Sequence, residues 1–175
     1  RAVNEMFKMM YEDGIIEQGY RLVNWDPQFQ TTLSDDEVEH KEVSAKLLTF
    51  KYDSDFPIAI STTRPETKFG DTAVAVHPDD KRYKKFVGKT FEPIFCGKKL
   101  LIIIIADKEV DPTFGTGALG VTPAHSMIDA EMAERHALEM VQVIGKDGRM
   151  MEDAGKDFAG LTIEEARKKI FETLQ

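Results

Sequence analysis

Two apolar runs of strand composition, Phe56 to Ile60 and Thr72 to Val76, are separated only by Ser61-Thr-Thr-Arg-Pro-Glu-Thr-Lys-Phe-Gly-Asp71. Arg64 precedes Pro65 and must take extended or turn backbone, because proline disfavours the α region for its predecessor. The segment therefore reads as a polar loop held between two strands, the place where a rigid scaffold carries function. A second polar loop, Gly115-Thr-Gly-Ala-Leu-Gly-Val-Thr-Pro-Ala-His125, also lies at the edge of apolar segments. The chain is organised to bring these two loops together.

The flanking pattern limits the fold class. Val3, Met6, Phe7, Met10 and Tyr11 recur at helical spacing, so residues 1–13 read as an amphipathic helix stopped by Gly14. Strands are expected at 20–25, 43–52, 56–61, 72–76, 90–95, 99–105, 119–122 and 140–144. Pro78-Asp79-Asp80 can open a short helix, and further helices are expected at 128–136 and 163–174, the last with a Thr162/Glu165 capping box. Strands dominate the middle and no regular βαβ alternation is present. The pattern predicts an α+β fold with a mixed or antiparallel sheet closing toward a barrel, and helices at its periphery.

At 175 residues the chain is read as one domain. The longest apolar run, Leu100 to Ala106, is too short to cross a bilayer, and the expected compartment is the cytoplasm. The start, Arg1-Ala-Val-Asn, lacks Met and reads as a fragment or a processed piece. A lone cysteine, Cys96, excludes an internal disulfide and a multi-cysteine zinc site. A formal net charge of −8 argues against a general nucleic-acid binder. Lys81, Arg82, Lys84, Lys85 and Lys89 form a local basic exception, read first as a solvated helix face and second as a contact for phosphates.

Several motifs point to less than they first promise. Gly115, Gly117 and Gly120 fit G-x-G-x-x-G, but Asp111-Pro112 precedes them and Pro123 follows where a helix should run. Their better reading is close approach of the backbone to a ligand or strand. His77, Asp79, His125 and Asp129 form an imaginable metal set without the H-E-x-x-H spacing that would support it. Ser126 and Asp129 also make a capping-box-like pair. From the residues alone, the chain offers a small polar pocket of unspecified reaction.

The motifs Thr62-Thr-Arg-Pro-Glu-Thr67, Gly70-Asp71, Gly115-Thr-Gly117 and Thr122-Pro-Ala-His125 with Asp129 together resemble the editing domain of class I aminoacyl-tRNA synthetases. That domain is the connective-peptide insertion of the valyl, isoleucyl and leucyl group. Leu22-Val-Asn-Trp-Asp-Pro27, Thr32-Leu-Ser-Asp-Asp-Glu-Val38 and Gly70-Asp-Thr-Ala-Val-Ala-Val-His-Pro-Asp-Asp80 draw the resemblance toward the valyl branch, over nearly the whole chain.

The resemblance implies a β-barrel-centred domain that hydrolyses the ester of a wrongly attached amino acid on tRNA, threonine foremost. An apolar synthetic pocket cannot strongly reject an isostere that only adds a hydroxyl, whereas a second site that hydrogen-bonds the hydroxyl can select it. It implies Asp129, Thr63, Arg64 and His125 as the residues nearest the chemistry, with Asp129 pairing the substrate ammonium. Thr62, Glu66, Thr67, Phe114, Gly115 and Thr122 would bind substrate. Thr62 to Arg64 would meet the terminal adenosine or ester carbonyl, Thr67 would set pocket size, and Phe114, Thr122 and His125 would form the opposite wall. No Ser-His or Cys-His dyad stands out, so the expected nucleophile is a positioned water.

The resemblance also implies that residues 1–44 are a stem joining the catalytic body of a parent synthetase and that 45–175 are the editing unit. No His-Ile-Gly-His-like or Lys-Met-Ser-Lys-Ser-like sequence is present. No metal or cofactor is expected in this chain, and ATP and Mg belong to the parent's synthetic site. The expected partners are the tRNA 3′ end carrying a mischarged amino acid and the parent's catalytic body, with no membrane. Two positions depart from the valyl pattern: Gly120 stands where a lysine implicated in recognising the threonine hydroxyl is common, and Ser126 where aspartate is common. An isoleucyl or leucyl editing domain, a non-catalytic tRNA-acceptor module and a metal-dependent hydrolase are the alternatives.

Overall fold

The computed structural model describes residues 1–19 and 21–174. In chain order the elements are α1 (Ala2–Glu12), β1 (Asn24–Asp26), β2 (Thr31–Leu33), β3 (Leu48–Phe50), β4 (Ile60–Thr62), β5 (Ala73–Val76), β6 (Thr90–Phe91), β7 (Ile94–Phe95), β8 (Lys98–Lys99), β9 (Ile102–Ala106), β10 (Ala118–Val121), α2 (Met127–His136) and α3 (Ile163–Thr173). The α+β expectation holds. Tyr20, where the sequence opens its first expected strand, lies outside the described residues, and the ladder itself starts at Asn24.

β5 is the axis of the molecule. It pairs antiparallel with β10 on one side and parallel with β9 on the other, and β6 completes a mixed sheet in the order β10-β5-β9-β6. All four β5 residues are buried, and their two faces enter different cores. Val74 and Val76 join the main core with Phe56, Ile58, Ile60, Phe69, Phe95, Ile102 and Ile104. Ala73 and Ala75 face a smaller cluster of Ile105, Val110, Val121 and Met132. Successive side chains of a strand point to opposite faces, and Ala at 73 and 75 leaves room for Met132 of α2 to come close.

The ladders do not close into a barrel among the described residues. β3 and β4 form their own antiparallel pair, and β4 meets β10 through side chains: a Cβ built at Gly120 would lie 3.0 Å from Ile60 Cδ1. With no hydrogen-bonded ladder from β4 to β10, the sheet stays open. The expected strand at 140–144 is reduced to a single bridge, Ile144 to Met150, and Pro78-Asp79-Asp80 forms a turn rather than a helix. The expected strand at 90–95 breaks in two. Thr90–Phe91 pairs with β9, while Ile94–Phe95 makes a tight hairpin with β8 around Cys96 and Gly97, both at positive φ, as a type I′ turn requires. The basic residues from Lys81 to Lys89 are exposed along turns and one 3₁₀ segment, not on a helix face.

The loop Ser61–Asp71 is mostly interior. Its centre, Pro65–Gly70, is a 3₁₀ helix with every residue buried. Phe69 anchors it in the main core, 4.5 Å from the Phe158 ring and 5.0 Å from the Phe95 ring. Glu66 is wholly buried and takes a two-pronged pair from Arg167 of α3, Nε at 2.8 Å and Nη2 at 2.9 Å. The planar guanidinium matches a carboxylate in this fork geometry. Helix α3, started by the Thr162/Glu165 capping box, thus locks the loop from behind. At the other end, Trp25 Nε1 donates to the Lys146 carbonyl at 2.8 Å. Removing Arg167 leaves a buried carboxylate with only the more distant Arg64 beside it, a costly defect. Arg167→Met is expected to lower unfolding free energy by about 2 kcal/mol in urea titration, with Glu66→Gln added to it recovering part of the loss.

Candidate active site

The two polar loops meet. Arg64 Nη1 donates to the His125 carbonyl at 2.8 Å, and Gly115, at φ +57, packs so tightly on Ser61 that a Cβ there would stand 2.7 Å from the Ser61 Cβ. Between the loops lies a cavity of about 160 Å³ lined by Thr62, Thr63, Arg64, Thr67, Lys68, Leu119, Gly120, Thr122, His125, Ser126 and Asp129. At about 30 Å³ per liquid water, that is room for roughly five waters or one small ligand group.

The Thr62–Thr67 wall is fixed by its own backbone. Arg64 N–H donates to Thr62 Oγ1 at 3.0 Å, and the Arg64 carbonyl accepts from the Thr67 amide at 3.2 Å and the Thr67 hydroxyl at 3.0 Å. Arg64 sits at φ −125, ψ 65, the non-helical backbone that Pro65 imposes. Its guanidinium is about half exposed at the rim, with Nε 3.7 Å from Glu66.

The opposite wall comes from β10 and the start of α2. Ser126 is the N-cap of α2, its hydroxyl accepting from the Asp129 amide at 3.3 Å. The Asp129 carboxylate does not complete a capping box. Its Oδ2 turns back to accept the Thr122 amide at 2.7 Å, and Oδ1 has no protein partner among the described residues. A carboxylate at the first turn of a helix, held by one oxygen and lining a small cavity, is placed to receive a cation.

His125 is committed in a different way. Its Nε2 accepts the Val143 amide at 3.0 Å, so the ring is neutral with its proton assigned to Nδ1. Burial pushes its pKa down to about 4, helped by the Arg64 and Lys68 cations and opposed by Glu66. Protonation at Nε2 would also break the Val143 contact. A base acting through Nε2 is therefore not available, and the ring serves as a fixed wall.

The floor is the feature that residue types alone did not reveal. Lys68 is only 4% exposed, and its Nζ donates to Asp71 Oδ1 at 3.0 Å, to the Gly120 carbonyl at 2.8 Å and to Thr122 Oγ1 at 2.7 Å. Asp71 also accepts from the hydroxyls of Thr122 and Tyr52. Burial raises the Asp71 pKa, and the Lys68 ammonium and the two hydroxyls offset only part of that rise. Facing three donors, it is held as a carboxylate. Burial beside this anion drives the Tyr52 phenol well above its usual pKa, so it stays protonated and donates. Position 120 has no side chain, yet an ammonium lies against its carbonyl. The i,i+3 spacing of Lys68 and Asp71 in a loop between apolar runs was the available signal.

Three of the sequence-expected binding residues are not in the cavity lining. Glu66 is spent on Arg167, Gly115 on Ser61, and Phe114 is 62% exposed. Asp129, Thr62, Thr63, Arg64, Thr67, Thr122 and His125 are brought together. In the imaginable metal set, His77 Nδ1, His125 Nε2 and Asp129 Oδ2 each accept a backbone amide, from Asp79, Val143 and Thr122.

The model of the tRNA synthetases class I (I, L, M and V) matches residues 1–172. Among curated relatives, the chain is 51% identical to the valine–tRNA ligase of Thermotoga maritima over 100% of this chain and 20% of that protein. It is 50% identical to the valine–tRNA ligase of Symbiobacterium thermophilum and 49% identical to that of Borrelia garinii subsp. bavariensis, each over 97% of this chain and 19% of the relative. It thus spans about a fifth of the length of the curated relatives it matches. A match along almost the whole chain, with the two motif loops meeting at one cavity, leads to one assignment: the chain belongs to the class I tRNA synthetases of the I, L, M and V group.

Proposed function

We propose that this chain is the editing domain of a valyl-type synthetase, hydrolysing the ester that joins a wrong amino acid, threonine foremost, to the tRNA 3′ end. The observation that carries the reading is Asp129. Its Oδ2 is pinned by the Thr122 amide while Oδ1 is left for a cation, at a cavity sized for a small amino acid. The substrate α-ammonium would sit on Asp129. Thr62, Thr63 and Arg64 at the rim would meet the ester carbonyl and terminal adenosine, and Thr67 and Thr122 would bound the side chain.

The nucleophile in this reading is water. Attack on the ester carbonyl forms the C–O bond to water and breaks the bond to the ribose oxygen, which takes a proton as the amino acid leaves. With His125 neutral and engaged at Nε2, catalysis rests on holding the ester and water in line and on donors aimed at the developing oxyanion. Residues 1–44 would be the stem toward the parent's catalytic body, with 45–175 as the hydrolytic unit. ATP and Mg would serve the parent's synthetic site, and the cytoplasm would be the compartment of action. No described helix is long and apolar enough to cross a membrane.

Asp129→Asn keeps the shape and removes the charge. It is expected to slow hydrolysis of the threonyl ester of valine tRNA about 100-fold, the scale of a lost charge-assisted contact. Rapid hydrolysis by the variant would overturn the ammonium role, and failure of the native chain to prefer threonyl over valyl ester would overturn the valyl reading.

The pH dependence follows from His125. Its pKa is lower in the fold (about 4) than in the unfolded chain (6.5). Between these values the unfolded state binds a proton that the fold does not, so stability rises with pH there. The contribution is fully present above pH 6.5 and is lost as pH falls toward 4. His125→Gln is expected to flatten the fall in melting temperature across that window. Hydrolysis by the native chain is expected to show no inflection near pH 6.5.

A further inference from the structure

Lys68 is the only lysine among the described residues that is buried, and none of its protons is free for a ligand. All three are placed, on Asp71, the Gly120 carbonyl and Thr122. It therefore acts through what it holds. The consequence falls on Thr122 Oγ1, whose proton goes to Asp71 and one of whose lone pairs takes the Lys68 ammonium. A hydroxyl has one proton and two lone pairs. What remains on Thr122, a residue of the cavity lining, is a single acceptor site in a fixed direction.

This polarity depends on charge. An ionised Asp71 takes the Thr122 proton because it cannot donate. Without a cation beside it, a carboxyl buried this deeply goes neutral and donates instead, and the Thr122 hydroxyl is free to turn. Gly120 is part of the same device. A Cβ there would overlap Asp71 Oδ2 and stand 2.8 Å from the Tyr52 hydroxyl, so glycine is what lets the carboxylate, the phenol and the ammonium converge.

We propose that Lys68 is the specificity-determining positioning residue of this pocket. By holding the Thr122 hydroxyl as an acceptor, it makes the floor select a small side chain carrying a hydroxyl donor over an isostere carrying a methyl. A methyl placed there leaves a buried acceptor without a partner, and sites of that kind discriminate strongly. The proposal rests on the editing reading above.

The test compares threonyl and valyl esters of the same tRNA with the native chain, Lys68→Met, Thr122→Val and the double variant, measuring kcat and KM, with melting curves for each protein. Lys68→Met is expected to lower the threonyl-to-valyl ratio of kcat/KM about tenfold, the worth of one hydrogen bond, chiefly by raising KM for the threonyl ester. A residue acting through Thr122 adds nothing once Thr122 is gone, so the double variant is expected to match Thr122→Val alone. If melting shows that Lys68→Met does not fold, Lys68→Met with Asp71→Asn removes both charges and carries the same expectation. A folded variant with the native ratio, or losses that add in the double variant, would overturn the Lys68 proposal alone. A native chain that hydrolyses neither ester would overturn the editing reading and this proposal with it.

Discussion

The buried pair of Lys68 and Asp71 is the constraint around which the rest of the site is arranged. A buried ion pair repays its desolvation only when its remaining donors and acceptors are met. Here they are: the ammonium places three protons on three acceptors, and the carboxylate collects two hydroxyls besides. Those partners come from three separate stretches of chain. Tyr52 follows β3, Gly120 lies in β10, Thr122 follows β10, and the pair itself spans the 3₁₀ loop before β5. One polar cluster thereby joins the two polar loops at their base.

The scaffold around that cluster explains why a polar loop can be interior without being loose. The loop is gripped by Phe69 in the aromatic core, by Glu66 on Arg167 of α3, and by Thr67 on its own backbone. On the other side, β5 separates a large core from a small one, and the small one seats α2 through Met132. Because α2 is seated, Asp129 at its first turn has a defined position. Packing remote from the cavity therefore sets the one carboxylate the proposed chemistry would use.

Much of this was legible from residue pattern. The helices at both ends, the two loops and their meeting were readable because periodicity, Pro65 and the capping pairs act locally. The barrel was not, because closure depends on whether β4 and β10 share a ladder, and here they meet through Ile60 and a side-chain-free Gly120. The strand at 140–144 was overread, since its apolar residues serve the core while its backbone makes one bridge. At the site, the motifs named Asp129 and Thr122, which line the cavity, and Glu66, whose carboxylate is paired with Arg167 of α3. Lys68 was passed over because a lysine on a polar loop is normally solvated. Only the tertiary fold shows it buried.

The cavity is preformed, with its walls set by backbone amides and its floor by the ion pair. Native-state hydrogen exchange in the free chain tests this most directly. The Thr122 amide, bound to Asp129 Oδ2, and the Val143 amide, bound to His125 Nε2, are predicted to exchange as slowly as the central β5 amides, through global opening. Fast exchange of either amide while β5 stays protected would show a pocket that forms only around its ligand, and would contradict the account.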